Sequence, residues 1–397
     1  MNKTVDHASR SHALLSASSA SRWLQCPPSA RQEELLPDTT SSFAKEGTVA
    51  HEVCDILLKK ELKLIVSGTA TRNLNKLKKD ELYSSEMLDN ANDYVGYVVE
   101  KIKSDEATVL IEEKLDFSAY VPEGFGTGDC IIIQDNVLTI IDYKYGKGVR
   151  VEAEYNPQMM LYALGAIDMF GYVYDFDMVE MCIYQPRIDN ISEFTMTVAD
   201  LLDWGNEKVV PVAKLAFNGD GEYKPGDHCR FCKIRNKCAH LAEYCMETVA
   251  SKFEDETGKL DHDLLTADDI AMIVGRIKTV QSWLRDVENY AINGILDKEF
   301  TVPGYKVVEG RSNRVYSDPD KVADTLVDNG YPESTIYEKK LLGITAMEKA
   351  VGKKKFNEIV GALITKPKGK PTLAPITDKR PEYKKEEILF DDESEEN

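Results

Sequence analysis

The chain has 397 residues, 43% of them apolar and 29% charged, with a formal net charge of −19. That length calls for two or three domains, and no apolar run approaches the roughly 20 residues that cross a bilayer. So negative a charge excludes a protein that coats nucleic acid through a broad basic surface, but not an enzyme that grips a phosphate locally through metal ions. The N-terminus has no continuous apolar stretch behind its few charges, so no signal peptide is expected and the expected compartment is the cytoplasm. Eight cysteines in that compartment point to metal or cluster ligation rather than disulfides.

Residues 1–15 are polar and without periodicity, and disorder is expected there. SASSASRWLQCPPSA (16–30) reads as a serine-capped short helix that ends at Cys26 before Pro27 and Pro28. Residues 45–65 are helical in pattern, with Val49, Val53, Ile56 and Leu57 at spacings of three and four, and 84–104 reads as another amphipathic helix. From 108 the texture changes. TVLIEEKLDF (108–117), GTGDCIIIQDN (126–136) and VLTIIDYKYG (137–146) read as three strands, with Asp135-Asn136 as a hairpin turn between the last two. Asn156–Phe170 reads as a buried helix and DMVEMCIYQP (177–186) as a further strand. Residues 198–217 are helical, 225–245 hold close cysteines, and a long helix is predicted over 266–298 with Ile270, Ile273, Val274, Ile277, Val280 and Leu284 on one face.

A domain boundary is expected near 300. Beyond it VPGYKVVEGRSNRVY (302–316) reads as a short strand pair, followed by small helices at 319–329 and 345–361. Between Val351 and Lys385 there are ten Lys/Arg against three Asp/Glu, whereas the last twelve residues carry seven acids and no base. Such a tail is expected to be disordered.

The hairpin brings Asp129 beside the end of the next strand, where Asp142 and Lys144, two residues apart, share one face of the sheet. Gly126-Thr127-Gly128 before Asp129 permits close backbone approach. Hard cations such as Mg²⁺ take carboxylate, water and phosphate oxygens. A bound ion acidifies a water and polarises a phosphate, and two ions about 3.5–4 Å apart clamp the attacking and leaving oxygens. Lys144 would orient the attacking water or neutralise developing charge. Asp-x-Lys alone is common and is ordinarily a solvated strand-end pair; the apolar flanks IIDYK and GDCIII are what argue for a site. His51, in GTVAHEV, is either a metal ligand or a plain helix-surface histidine. Gln158 and Tyr162, four apart on one helix face, would contact a DNA strand or support Lys144.

Cys229, Cys232 and Cys238 form C-x₂-C-x₅-C within HCRFCKIRNKCAH, and both zinc and an iron–sulfur cubane need a fourth ligand. His228, His240 and Cys245 are local candidates, as in a zinc ribbon. Cys26 is the remote one, and would close a loop of about 200 residues, which restricts the unfolded chain considerably. Arg230, Lys233, Arg235 and Lys237 interleave with these cysteines and would offset thiolate charge or face DNA. Cys54, Cys130 and Cys182 lie in apolar patterns and are expected in the core.

SASSASRWLQCP, His51, Asp129, the DYK of Asp142 to Lys144, the QMMLY of Gln158 to Tyr162 and CRFCKIRNKC, in that order, resemble the motifs of RecB- and AddB-type PD-(D/E)XK nucleases and of related CRISPR-associated and phage exonucleases. GRSNR and KPKGKPTL resemble a prophage-encoded branch of that family. The resemblance implies a restriction-endonuclease-like α/β core with a helical surround over 16–250, stapled by a four-iron (4Fe-4S) cluster on Cys26, Cys229, Cys232 and Cys238, with Zn²⁺ as the alternative. It implies Mg²⁺ or Mn²⁺ on His51, Asp129, Asp142 and the Tyr143 carbonyl, with Asp129, Asp142, Lys144, Gln158 and Tyr162 as catalytic residues. It also implies an exonuclease or end-processing nuclease of phage replication or recombination, with DNA as partner and a single-strand-binding protein, recombinase or helicase beside it. The third-strand acid is Asp142 rather than the commoner Glu. No G-x₄-G-K-[ST] loop is present, so unwinding would come from elsewhere. Residues 251–300 are then a helical connector, 301–380 a small α+β domain for docking DNA or a partner, or a plain solvated surface, and 381–397 the acidic tail. The competing expectation, favoured by the charge of −19, is a catalytically inactive cluster-containing DNA-binding or scaffold protein.

Overall fold

The computed structural model describes residues 13–34, 36, 42–249, 267–309, 316–337 and 341–364. The expected disorder of 1–12, the GRSNR and KPKGKPTL stretches and the acidic tail fall outside them. The chain divides into two compact units between Val308 and Glu309, somewhat beyond the boundary expected near 300.

In the first unit five strands, β1 (Thr108–Asp116), β2 (Phe125–Gln134), β3 (Val137–Tyr143), β4 (Met178–Gln185) and β5 (Asn190–Thr197), form one mixed sheet in that spatial order. Asp135 and Asn136 both take positive φ, 49° and 58°, the twist that a two-residue hairpin needs, so β2 and β3 pair antiparallel. β3 and β4 run parallel, which demands a crossover, supplied by helix α6 (Pro157–Phe170). Asn156 caps that helix, its side chain accepting from the N–H groups of Gln158 and Met159. β5, absent from the sequence expectations, pairs antiparallel with β4 at the sheet edge; its alternating NISEFTMT buries only one face.

The strands alternate between two cores. Ile131, Ile133, Leu138 and Ile140 pack against α6 and the helices α1 (Ala20–Trp23), α2 (Ser29–Glu34), α7 (Val198–Trp204) and α8 (Val210–Asn218). Cys130, Ile132, Ile141 and Tyr143 pack on the opposite face against α3 (Ser42–Glu61) and α5 (Ser85–Lys101). Cys54 and Cys182 join this second core, as expected of them. Helix α4 (Ser67–Leu77) lies beside α3 and was not anticipated. The helical run expected over 198–217 is α7 and α8 joined by a π turn at Gly205–Val209. Two further helices complete this unit, α9 (Ala239–Val249) and α10 (Ala267–Leu296). Among the described residues no helix is long and apolar enough to cross a membrane.

Three expectations are corrected. Disorder was expected through residue 15, yet Leu15 is fully buried in the α6-side core beside Trp23, and the Trp23 indole N–H donates to the Ser16 carbonyl at 3.1 Å. The strand pair over 302–316 is not formed by residues 301–309 or 316. Pro303 brings no N–H to a ladder, and the chain turns on itself, with Tyr305 N–H bonded to Val302 O at 3.1 Å. The described part of the second unit is accordingly helical rather than α+β: α11 (Pro319–Asp328), α12 (Glu333–Ile336), α13 (Ile344–Val351) and α14 (Lys353–Val360). The last two were expected as one helix; Gly352, at φ 90°, divides them.

Burial of Leu15 gives a direct test of how the N-terminal segment is anchored. Leu15→Ala should lower the unfolding free energy by about 2–5 kcal/mol, read as a shifted urea midpoint. An unchanged midpoint would return the segment to the disordered class.

Candidate metal centre and cysteine cluster

Register builds the first site. Glu112 falls between the pairs Ile111↔Cys130 and Glu113↔Gly128, which sets it opposite Asp129. Asp129 falls one step beyond the pair Cys130↔Ile141, which sets it opposite Asp142. Three carboxylates thus stand in a row on three adjacent strands, where the β2–β3 ladder ends. Asp129 lies inside β2 rather than at its start, because Phe125 to Gly128 go on pairing with β1. Gly126 is needed there: a Cβ would meet Tyr162 Cε1 at 2.7 Å.

Glu112 takes φ 54°, in the left-handed region, and strand alternation reverses around it. Val109 and Ile111 pack on the α3 side, whereas Leu115, also odd-numbered, packs on the α6 side. A non-glycine residue held there costs about 1–3 kcal/mol. The distortion coincides with the point at which β1 delivers a carboxylate to the row.

Two cations face the row. His51, on α3, places Nδ1 3.3 Å from Asp129 Oδ1, and its ring meets Tyr143 edge-on at 5.4 Å. The other oxygen, Asp129 Oδ2, accepts the Tyr143 backbone N–H at 2.7 Å, so Asp129 takes the ladder's next donor. Lys144 Nζ stands 2.8 Å from Asp142 Oδ2 and donates to Gln158 Oε1 at 3.2 Å. The Gln158 amide N–H₂ reaches Asp142 Oδ1 and the Tyr162 hydroxyl, each at 3.2 Å. Gln158 therefore ties Asp142, Lys144 and Tyr162 together.

The electrostatics follow from this packing. Burial alone would lower the His51 imidazole, but the charge and hydrogen bond of Asp129 override it and raise the pKa to about 9. Burial would push Asp129 up, yet the His51 charge outweighs it and holds that carboxyl below its ordinary range. Asp142, only 3% exposed, is pushed up by burial against the pull of Lys144. Lys144 would be lowered by burial but is held up by Asp142. Glu112 is raised to about 7, first by desolvation and then by the charge of Asp129.

The expected metal set was His51, Asp129, Asp142 and the Tyr143 carbonyl, and Glu112, which was not in it, stands with two of them. The ligand atoms that converge within 4.8 Å are those of His51, Glu112 and Asp129, while Asp142 is engaged by Lys144 and Gln158. Tyr143 is the last residue of β3, with its side chain in the α3-side core. Glu112 was missed because nothing in EEKL distinguishes it from a solvated strand acid; only pairing of β1 with β2 sets it opposite Asp129. A second convergent set, Glu180, Cys182 and Glu193, already holds a cation: Lys101 Nζ lies 2.6 Å from Glu180 and 2.9 Å from Glu193.

The other site is built on cysteines, all eight of which are free thiols. Cys26, Cys229, Cys232 and Cys238 line one small cavity together with Arg22, Tyr223, His228 and His240. Cys26 follows α1, where the prolines end the helix, and its carbonyl accepts Ser29 N–H at the start of α2. A buried clamp brings it to the distant cysteines. Arg22 and Glu33 pair at 2.6 Å; Arg22 donates to Phe231 O at 3.3 Å, and Glu33 accepts Lys233 N–H at 2.7 Å. Neither clamp residue carries a signal in the sequence. Cys238 precedes the first turn of α9, its carbonyl bonded to Ala242 N–H, so the positive helix end faces the thiols. Gly226 N–H points at Cys229 Sγ at 3.4 Å, and burial pushes the Cys232 thiol up to about 12. Cys245 is fully buried and does not line the cavity.

The class these features define is a mixed α/β protein with one five-stranded sheet among the described residues, a carboxylate–histidine–lysine centre at the sheet end and a four-cysteine pocket. The chain belongs to the family described as "Protein of unknown function (DUF2800)", whose model matches residues 12–381. A solved structure, the crystal structure of SSO0001, shares 13% identity over 55% of this chain and 96% of its own, with a TM-score of 0.20, too low to carry an argument.

The positive φ at Glu112 separates strain from function. Glu112→Gly should be more stable than Glu112→Ala by about 1 kcal/mol in urea unfolding, while both bind Mn²⁺ more weakly than the unsubstituted protein in calorimetric titration. Equal stabilities would mean the strand does not hold that backbone conformation.

Proposed function

We propose that the chain is a metal-dependent DNA nuclease of the RecB-like PD-(D/E)XK class, with an iron–sulfur cluster fastening its N-terminal segment to the cysteine loop. The observation that carries this reading is the row Glu112, Asp129 and Asp142, faced by His51 and Lys144 at distances of 2.8–3.3 Å. The donor set fits a hard divalent ion: carboxylate oxygens and one imidazole, with ligand atoms within 4.8 Å of one another. A divalent ion bound there supplies a Lewis acid for the phosphate and a water of lowered pKa.

The chain's own residues do the rest. Glu112, Asp129 and His51 would hold the ion, and His51 would ligate it as the neutral imidazole. Lys144 stays protonated beside Asp142, and its Nζ donates to a phosphate oxygen or to the attacking water as negative charge develops. Gln158 fixes that ammonium and the Asp142 carboxylate in one geometry, and Tyr162 fixes Gln158; both are positioning residues rather than catalytic ones.

At the cysteines the spacing favours a cluster over zinc. A single tetrahedral Zn²⁺ at about 2.3 Å from each sulfur draws the sulfurs to within about 4 Å of one another. Among the described residues the sets that converge within 4.8 Å do not include these cysteines, although all four line one cavity. A cubane, which spreads its ligands over four irons, suits that wider ring.

The activity test uses end-labelled single- and double-stranded DNA with Mg²⁺ or Mn²⁺. Degradation should fall by at least about a hundred-fold in Asp142→Ala and in Lys144→Ala, the scale for removing a charge-stabilising group; cleavage that survives both substitutions would end the nuclease reading. For the cysteines, anaerobic purification should give about four irons per chain and broad visible absorption. Cys26→Ser should lose that iron and lower the thermal midpoint, whereas stoichiometric zinc in place of iron would overturn the cluster assignment.

A further inference from the structure

Resting on the nuclease reading above, we propose that the groove between α10 and the cysteine loop is the path of one unpaired DNA strand approaching the carboxylate site, held by phosphate contacts and by stacking on Phe231. The groove encloses about 530 Å³, within the range of built ligand sites. Arg230, on the cysteine loop, and Lys278 and Arg285, on α10, are exposed on its walls. Of the acids there, Asp286 is neutralised by Arg235, which grips both its oxygens at 2.8 and 2.9 Å. Asp227 accepts the Thr279 hydroxyl at 3.1 Å. Three exposed cations thus stand against one acid, in a chain whose overall charge is −19.

Aromatic placement says which polyanion fits. Phe231 is 62% exposed at the tip of the loop, with the Arg230 guanidinium 5.7 Å from its ring centre, and half-buried Trp283 lines the same groove. A large bare ring among cations is the platform on which single strands stack. A base within a duplex offers no free face to such a ring, so the complementary ligand is unpaired. Continuity supplies the direction. Val149 also lines the groove and lies five residues after Lys144, on the loop that leaves β3. One residue of the groove wall thus belongs to the segment that carries the ammonium of the carboxylate site.

The test uses the full chain in an Asp142→Asn background, so that DNA stays intact, and a fluorescein-labelled oligothymidylate of about a dozen nucleotides, within the range of one strand-binding site. Anisotropy should show the single strand bound at least ten-fold more tightly than a duplex of equal length. Phe231→Ala should weaken binding about ten-fold, and Phe231→Tyr, which keeps the ring, should restore it. Lys278→Ala and Arg285→Ala should each flatten the dependence of log K on log salt by about 0.7. Duplex bound as well as single strand, or oligothymidylate affinity unmoved by Phe231→Ala and both charge substitutions, would overturn the proposal. Hydrolysis of bis(p-nitrophenyl) phosphate, too small to need the groove, separates it from the nuclease reading. The groove variants in the otherwise unsubstituted chain should cleave this ester at the normal rate. No ester hydrolysis by the unsubstituted protein would strike the nuclease reading alone and leave the groove to be judged by binding.

Discussion

Three carboxylates side by side on neighbouring strands are the constraint around which the first unit is arranged. Directly opposite residues on paired strands have Cβ atoms about 4.5–5.5 Å apart, and like charges so placed destabilise the sheet. His51 and Lys144 offset part of the repulsion, one from each side of the sheet. Glu112, its pKa raised first by burial and then by the charge of Asp129, also sits on a backbone bent into a conformation glycine would prefer. The sheet tolerates this end because the other end is secured. Ile131, Ile133, Leu138 and Ile140 on one face, and Cys130, Ile132 and Ile141 on the other, are nearly or wholly removed from water. Each buried isoleucine or leucine contributes about 1.5–3 kcal/mol of burial, enough to carry a strained rim of carboxylates whose side chains could hold a metal ion.

The Arg22–Glu33 pair is the corresponding device at the cysteines. A buried ion pair is weak support for stability as such, because desolvation offsets most of its attraction. Its importance here is positional. Each partner also bonds a backbone group of the cysteine loop, Arg22 at the Phe231 carbonyl and Glu33 at the Lys233 N–H. The pair therefore sets the loop against α1 and α2, and Cys26, four residues after Arg22, comes to the same cavity as Cys229, Cys232 and Cys238. Loss of either partner would leave the other charge buried and the loop unregistered, which couples the thiol geometry to a contact that contains no thiol.

How far the sequence spoke for itself depended on the range of the determining interaction. Asp135-Asn136 announced the hairpin because its φ angles are a local preference of those residues. The shared side of Asp142 and Lys144 followed from strand periodicity, and Pro27-Pro28 after Cys26 marked a helix stop. Gly126, singled out for close approach, proved to face Tyr162. Glu112 was illegible because its role depends on the pairing of β1 with β2, and Glu113 beside it looks the same on paper. Arg22 and Glu33 were illegible for the same reason, their partners lying about 200 residues away. Leu15 was misjudged since one apolar residue in a polar segment has no period, and only Trp23 and its neighbours give it a place. The strand pair beyond residue 300 failed on Pro303, where backbone chemistry overrode an apolar pattern.

The net charge of −19, which argued for a scaffold, is compatible with work on a polyanion once screening is counted. At physiological salt, charges more than about 8 Å apart are largely hidden from one another. A phosphate entering the site meets the groups within that radius, and the distant acids act mainly in dilute salt. What the acidic surface removes is long-range attraction to duplex backbone, the term that dominates indiscriminate binding. On the proposed reading, recognition would then fall to short-range contacts: an ammonium and a metal ion at the sheet end, and a bare aromatic ring between cations on the cysteine loop. Of these, stacking is the one that distinguishes an unpaired base from a paired one. On the proposed nuclease reading, an acidic chain with a local basic, aromatic groove would suit strand ends and single strands better than continuous duplex, and its charge would act as a selectivity element rather than count against catalysis.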